Sequence, residues 1–416
     1  MKILRIASRI LAGVIFIFSG FVKDIDPMGS TYKFIDYFEA FHLGFLNSLA
    51  FPLAILLSTG ELVIGINLLL GIRMKITSYA LLIFMSFFTI LTLILAIYNP
   101  VTDCGCFGDA IILTNWQTFW KNIIILLPTL IIFFSRNQYI PFYAIQNEWR
   151  LTISFILIGL LIAVYCYRNL PLIDFRPYKI GTNIPEKMII PEDAKPDEYK
   201  TIVVYEKNGI RKEFSPDNLP WQDTTWKWIE TRQILISKGY EPPIHDFSIA
   251  TLDGDDITDQ VITDPGYSFL LIADDLAETN IDAFKTINKT AESCINNNSC
   301  SFYCLTSSTT EKINNIQDKL KINFEFYTTD EITLKTIIRS NPGLILLKEG
   351  TIIGKWHYNN FPAFNVSDQN FISYVLDLQR KDKEKLTVYL IAVSFILIVY
   401  VSHTLILKTE EKDTAR

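Results

Sequence analysis

Two cysteines separated by a single glycine, in the run Asp103-Cys104-Gly105-Cys106-Phe107-Gly108-Asp109, concentrate the chemistry of this chain. Residues two apart can bring their Cα atoms to roughly 5.5–7 Å, which overlaps the separation of about 4.4–6.8 Å found across disulfides. Gly105 has no Cβ, so the backbone between the sulfurs can take the bend that a small ring demands. A disulfide closed over one residue is expected to be strained, and strained, exposed disulfides are the ones that exchange. Cys104 and Cys106 are therefore the candidate catalytic pair. Two other uses stay open: the cysteines brace a tight turn, or two thiolates join Asp103 and Asp109 around a metal. No histidine lies nearby to support the second, and no metal is expected.

The elements that must hold this loop are apolar. Half of the 416 residues are apolar and 20% are charged, too greasy a balance for a soluble enzyme of this length. Candidate membrane spans are Ile3 to Val22, Ser48 to Gly71, Ile76 to Tyr98, Gln117 to Phe134, Leu151 to Tyr167 and Leu386 to Leu407. Each has about the 17–25 residues a bilayer crossing requires. Lys121 and Pro128 interrupt the fourth, but a lysine can snorkel and a proline is tolerated among packed helices. The first run carries basic residues before it, as a signal peptide does, yet no small-x-small cleavage site follows. It reads as a retained helix.

Six spans put Lys2, Arg5, Arg9, Arg73, Lys75, Arg136, Arg150, Lys408, Lys412 and Arg416 on one side, which the positive-inside rule makes cytoplasmic. Both termini are then expected inside a bacterial inner membrane. The cysteine loop and the polar segment between the last two spans face the periplasm. All six cysteines lie at or beyond that outer face, where disulfides persist. Cys166, closing the fifth helix, is a candidate resolving thiol. A net charge of −6 with no basic patch gives no reason to expect nucleic acid. The expected partners are membrane lipid and the thiols of a client protein.

Within the bundle, Glu61 stands roughly 15 Å from the inner end of the second span. A carboxyl there is costly unless paired or protonated, and such residues are often functional. Arg9, roughly 9 Å along the first helix, could reach it. The two uses are a packing ion pair and a proton or quinone site. Gly60, Gly65 and Gly71 read as points of close helix approach. Phe34, Tyr37, Phe38, Phe41 and Phe45 recur at helical spacing, either as a surface helix or as a lid packed on the bundle.

Three pieces together, Ser19-Gly20-Phe21-Val22-Lys23 with Asp26-Pro27, the helix GELVIGINLLLG and the loop CGCFGD, resemble the DoxX/MauE superfamily of four-helix membrane proteins. The loop points to its methylamine-utilisation branch. The resemblance covers residues 1–135 and implies a role in forming or handling disulfides outside the membrane. It draws attention to Cys104 and Cys106, and with them Glu61 and Lys23. Other members are linked to quinol oxidation, so electrons are expected to pass to a quinone or to another carrier in the bundle, with no covalently bound cofactor. The rest of the chain departs from that family: a fifth helix within 136–167, a linker and hairpin region over 168–240, an α/β domain over 241–380 and the last span over 386–407.

The linker region holds a hairpin, Thr201 to Tyr205 and Arg211 to Phe214, turning at Asn208-Gly209. A helix is expected to begin near Trp221, Trp226 and Trp228, with these rings in the domain's own core rather than docked on the bilayer surface. From Tyr240, strands alternate with helices and end in a hairpin and a helix over Val366 to Arg380, so a central sheet with helices on both faces is expected. PPIHDFSIATLDG and NPGLILLKEGTIIGKW make this part similar to thioredoxin-like domains of the TlpA/peroxiredoxin type. That resemblance makes Pro342 the cis-proline beside the active-site loop. The Cys-x-x-Cys position, however, reads Asp274-Asp275-Leu276-Ala277, so no thioredoxin-type catalysis is expected there. Cys294 and Cys300 flank an Asn-rich turn that a structural disulfide could span, and Cys304 reads as a buried, inert thiol.

The expected architecture is a six-span α-helical membrane bundle carrying an extracytoplasmic α/β thioredoxin-like domain. The expected function is thiol–disulfide redox chemistry or disulfide maturation at Cys104 and Cys106. The alternatives are a non-catalytic membrane scaffold or assembly factor, and a DoxX-like subunit of a quinol-oxidising complex.

Overall fold

The computed structural model describes residues 2–139, 144–237, 239–296, 300–322 and 324–361, with 377 and 380. Among the described residues, five helices are long and apolar enough to cross a membrane: α1 (Lys2–Asp24), α3 (Ala50–Leu70), α4 (Met74–Tyr98), α5 (Asn115–Phe134) and α6 (Ile145–Arg168). The chain is a membrane protein. The sixth expected span, Leu386 to Leu407, and the helix expected over Val366 to Arg380 lie outside the described residues.

Glycine sets how closely α1 and α3 pack. A Cβ on Gly20 would stand 2.4 Å from the Leu62 backbone nitrogen, and one on Gly65 would stand 2.5 Å from that of Ile17. Close approach of this kind is what small residues provide in a membrane, where apolar burial gives helices little reason to associate. Gly60 faces open space and does not serve the packing expected of it, and Gly71 ends α3 in a left-handed cap.

Between α1 and α3, the short helix α2 (Pro27–Ala40) lies against the bundle. Asp26 caps it by accepting a hydrogen bond from the Gly29 amide at 3.0 Å, which satisfies one of the free N–H groups of its first turn. It packs as a lid, presenting Phe34, Tyr37 and Phe38 to a cavity in the bundle.

The segment after α6 begins with α7 (Ile184–Met188) and a three-stranded antiparallel sheet, β1 (Glu198–Lys207), β2 (Ile210–Phe214) and β3 (Lys227–Ser237), in the order β2-β1-β3. Asn208 and Gly209, both at positive φ, make the expected β1–β2 turn. The helix expected after Trp221 is instead β3. Its β-branched run pairs along most of β1, and that tertiary pairing overrides a weak local helix signal. Trp221 and Trp228 are exposed rather than packed in a core, while Trp226 meets Phe214 edge-on.

The last domain has a five-stranded sheet in the order β6-β5-β4-β7-β8. Its strands are β4 (Tyr267–Ile272), β5 (Ser301–Thr306), β6 (Phe326–Thr328), β7 (Gly343–Lys348) and β8 (Thr351–His357). The first three run parallel, and β7 and β8 are antiparallel to their neighbours. Phe269 and Leu271 of β4 face one apolar layer with α9 (Ile281–Asn296) and α10 (Thr310–Leu320). Leu270 and Ile272 face the other with α11 (Glu331–Ile337). A short helix, α8 (Thr258–Ile262), joins that second layer. Alternation along a strand puts successive side chains on opposite faces, so this one strand serves both cores. With a cis Asn341–Pro342 bond before β7, this is the thioredoxin-like arrangement. Buried Lys355 on β8 ties the domain to the chain leaving α6: its Nζ lies 2.8 Å from Asp174 Oδ2 and 2.7 Å from the Ile337 carbonyl oxygen.

Candidate functional site

The cysteine loop joins α4 to α5 and is held from three directions. Asp103 accepts from the Gly105 amide at 2.8 Å and pairs with Lys33 Nζ of α2 at 2.8 Å. Tyr37 of α2 donates to the Cys104 carbonyl at 2.7 Å. The Ser19 hydroxyl of α1 lies 2.8 Å from the Cys106 carbonyl oxygen. Gly105 and Gly108 have φ of +64° and +52°, a region that costs other residues about 1–2 kcal/mol. The fold therefore uses both glycines to turn the loop back on itself.

Cys104 and Cys106 Sγ atoms lie 2.9 Å apart as free thiols, in hydrogen-bonding contact and longer than the about 2.05 Å of a disulfide. Cys104 is buried and Cys106 half-buried. The hydrogen bond from Cys104 holds the Cys106 thiol down, to about 6, against the opposing effect of burial and with help from the ammonium groups of Lys121 and Lys23. Cys104, on the other side of that bond, is pushed up. Of the two sulfurs, Cys106 is the one favoured as thiolate and Cys104 the one that keeps its hydrogen, an arrangement in which one sulfur can attack and its neighbour resolve.

Glu61 stands beside this pair. It accepts from Lys23 Nζ at 2.6 Å and from Ser19 Oγ at 2.6 Å, and both charged side chains are buried. Arg9, the partner expected from sequence, is elsewhere: its guanidinium stacks 5.8 Å from the Tyr139 ring. Fourteen residues separate Arg9 from Lys23, about 21 Å of helix. Glu61 thus meets the C-terminal end of α1, at Ser19 and Lys23.

Ser19, Lys23, Glu61, Cys104 and Cys106 all line one cavity of about 230 Å³ in the bundle. Its remaining wall is mainly aromatic and aliphatic, from α2, α3, α4 and α5, with Lys121 and Asn122 adding polar groups.

The thioredoxin-like domain contributes a second face to the site. Arg339, three residues before Pro342, bonds Asp26 through Nε at 3.0 Å and Asp109 through Nη2 at 2.8 Å. Its side chain is 8% exposed. Burial alone would raise the Asp26 carboxyl, but Arg339, Arg176 and the Gly29 amide together hold it below the usual carboxylate range. The Tyr32 ring of α2 lies under both Arg339 and Lys335. In the Cys-x-x-Cys position, Asp275 accepts from the Ala277 amide at 2.9 Å and from Lys312 at 3.1 Å, while burial pushes Asp274 up to about 6. Asn341 of the cis-proline loop donates to the Asp275 carbonyl at 2.8 Å. That face holds carboxylates and no sulfur.

The other cysteines are placed apart from the pair. Cys166 is buried on α6 and does not line the cavity. Cys294 and Cys300 are joined as a disulfide between α9 and β5. Burial pushes the Cys304 thiol up. No metal-ligand cluster occurs among the described residues. Sequence reasoning missed Ser19, Lys33, Tyr37 and Arg339. For Tyr37 the signal was its place on the aromatic face of α2; nothing local marks Arg339.

Residues 1–135 match the family model described as methylamine utilisation protein MauE, and residues 199–238 match a domain of unknown function, DUF8463. No curated protein sequence matches the chain. Among solved structures, the chain is similar to a proposed protein disulfide isomerase from Bacteroides thetaiotaomicron, with 15% identity, a TM-score of 0.24, and coverage of 32% of this chain and 84% of that one. It is also similar to a secreted Mycobacterium tuberculosis disulfide oxidoreductase homologous to E. coli DsbE, with 10% identity, a TM-score of 0.24, and coverage of 31% and 96%. The strand order β6-β5-β4-β7-β8, with an apolar layer of helices on each face, is what makes the last domain thioredoxin-like. The chain joins a MauE-like membrane module to a thioredoxin-like domain.

Proposed function

We propose that this protein is a membrane-bound thiol–disulfide oxidoreductase whose reacting group is the Cys104–Cys106 pair, not the thioredoxin-like domain. The observation that carries this reading is the 2.9 Å sulfur contact in a loop bent at Gly105. In the oxidised form, a client thiolate attacks Sγ of Cys106, which belongs to the less buried residue of the pair, and Cys104 leaves. A second client thiolate attacks the mixed disulfide, and Cys106 leaves as the better-stabilised thiolate. Two client thiols become a disulfide, and the pair returns as thiol and thiolate. The distribution of lysine and arginine supports a loop facing the periplasm, with cytoplasmic termini. A methylamine-related client is the choice that the MauE match favours.

The test is Cys104→Ser exposed to oxidised glutathione. The account expects glutathione on Cys106 in a stable mixed disulfide, with rapid release in wild type. An unmodified Cys106 rejects it. A scaffold without turnover is the second reading, favoured by the carboxylates at Asp274 and Asp275 and by the docking of the cis-proline loop through Arg339. A scaffold would keep the pair in one redox state whatever oxidant or reductant is supplied.

A further inference from the structure

We infer that a second pocket, at the end of the bundle remote from the cysteine loop, binds the phosphate group of an anionic phospholipid. The site is separate from the sulfur pair and does not depend on its chemistry. The pocket has a volume of about 270 Å³. Arg73, Lys75 and Ile76 reach it from the turn between α3 and α4, Arg136 and Tyr139 from the end of α5, and Glu148 from the start of α6. Three cations against one carboxylate leave its wall with a surplus of two positive charges. Arg9 of α1 adds another beside it, stacked 5.8 Å from the Tyr139 ring. Its Nε is buried and has no hydrogen-bond partner among the described residues.

These cations are held in place without being neutralised. Arg73 stacks on the Trp149 ring at 4.2 Å, and Arg136 lies over Phe133 at 4.3 Å and Tyr79 at 5.2 Å. Stacking fixes a planar guanidinium while leaving its N–H donors for other partners. Arg136 uses Nη1 on the Phe133 carbonyl oxygen at 2.9 Å and keeps the rest of its fork. Among the described residues, no ion pair engages Arg73, Lys75 or Arg136. A phosphate, with several acceptor oxygens on one centre, suits donors converging from two helix ends and a turn. What points to a lipid is the apolar flank. Ile76 and Tyr79 on α4 and Phe134 on α5 are exposed beside the cations, on helices long and apolar enough to cross a membrane. Acyl chains can lie along that flank while the headgroup sits among the cations, as acidic lipids do in basic pockets between spanning helices. A soluble phosphate ion meets the same cations but gains nothing from the flank.

The test is native mass spectrometry of the full-length protein in detergent, titrated with phosphatidylglycerol and, separately, with phosphatidylcholine. Wild type is expected to retain phosphatidylglycerol in preference to the zwitterionic lipid. Arg73→Asn/Arg136→Gln should lose roughly 25-fold in phosphatidylglycerol affinity, about five-fold for each cation removed, from an attraction of about 1 kcal/mol apiece. Arg73 takes φ +51°, a conformation asparagine adopts more readily than most residues, so that substitution suits the turn. Should the double variant fail to insert, Arg73→Asn alone should lose about five-fold. The control is Lys2→Gln/Arg150→Gln, which removes the same charge from exposed positions outside the pocket and should leave the affinity unchanged. Equal retention of the two lipids by wild type, or equal losses in pocket and control variants, overturns the site. Inorganic phosphate raising the Tm as much as phosphatidylglycerol does would assign the pocket to a soluble anion and overturn the lipid.

Discussion

Arg339 Nη2 lies 2.8 Å from Asp109 Oδ2, and this contact joins the cis-proline loop of one domain to the cysteine loop of the other. The same guanidinium holds Asp26 at the start of α2. A planar fork with five donors can satisfy two carboxylates at once, which an ammonium cannot do with the same geometry. The segment before the cis-proline is thus turned onto the membrane module, against the loop that carries the sulfurs.

Arg339→Ala leaves the mostly buried Asp26 and the exposed Asp109 without the guanidinium that bridges them. Removing one partner of a buried pair costs about 3–5 kcal/mol. The expected result is a lower Tm and faster proteolysis between residues 168 and 240, measured on the protein in detergent. Arg339→Lys should recover only part of the loss. An unchanged Tm and cleavage rate would show that the contact does not hold the domains together.

Alkylation of Cys106 should follow its thiolate. Its pKa is held down to about 6, so the rate should be near its plateau at pH 7 and fall as pH drops through 6. In Cys104→Ala the hydrogen bond that stabilises the thiolate is gone, and the midpoint should move upward. A midpoint that stays at the ordinary thiol value, about 8.5, in the unsubstituted protein would remove the proposed nucleophile.

Gly105→Ala places a Cβ at φ +64° and 3.0 Å from Lys33 Cγ. The backbone penalty is about 1–2 kcal/mol, with the Lys33–Asp103 pair pushed out of place. Slower glutathione exchange with membrane insertion unchanged is the expected outcome, read by mass spectrometry and by protease protection. Equal exchange rates would mean that the bend at Gly105 is dispensable.

Much of this organisation is legible in the sequence because it is local. Apolar runs of span length set α1 and α3–α6, and Asn208-Gly209 specifies a hairpin turn. The alternation in the last domain specifies its sheet. Cys104 and Cys106 declare themselves by spacing alone. What escapes is set by tertiary placement. Glu61 has two basic candidates on α1, and only the stagger of α1 against α3, fixed by Gly20 and Gly65, selects Lys23 over Arg9. β3 looks like a helix until β1 is there to pair with it. Arg339 is more than two hundred residues from Asp109, and no local pattern reports a contact between separate domains.

The central claim is that Cys104 and Cys106 cycle together between dithiol and disulfide on the outer side of the membrane. Mass-tag labelling of intact cells with a membrane-impermeant maleimide tests it, in a variant whose Cys166 and Cys304 are replaced by serine. The account predicts two added tags after reductant and none after oxidant, with both tags mapping to the loop. Two tags under both conditions, or labelling only after the cells are broken open, would contradict it.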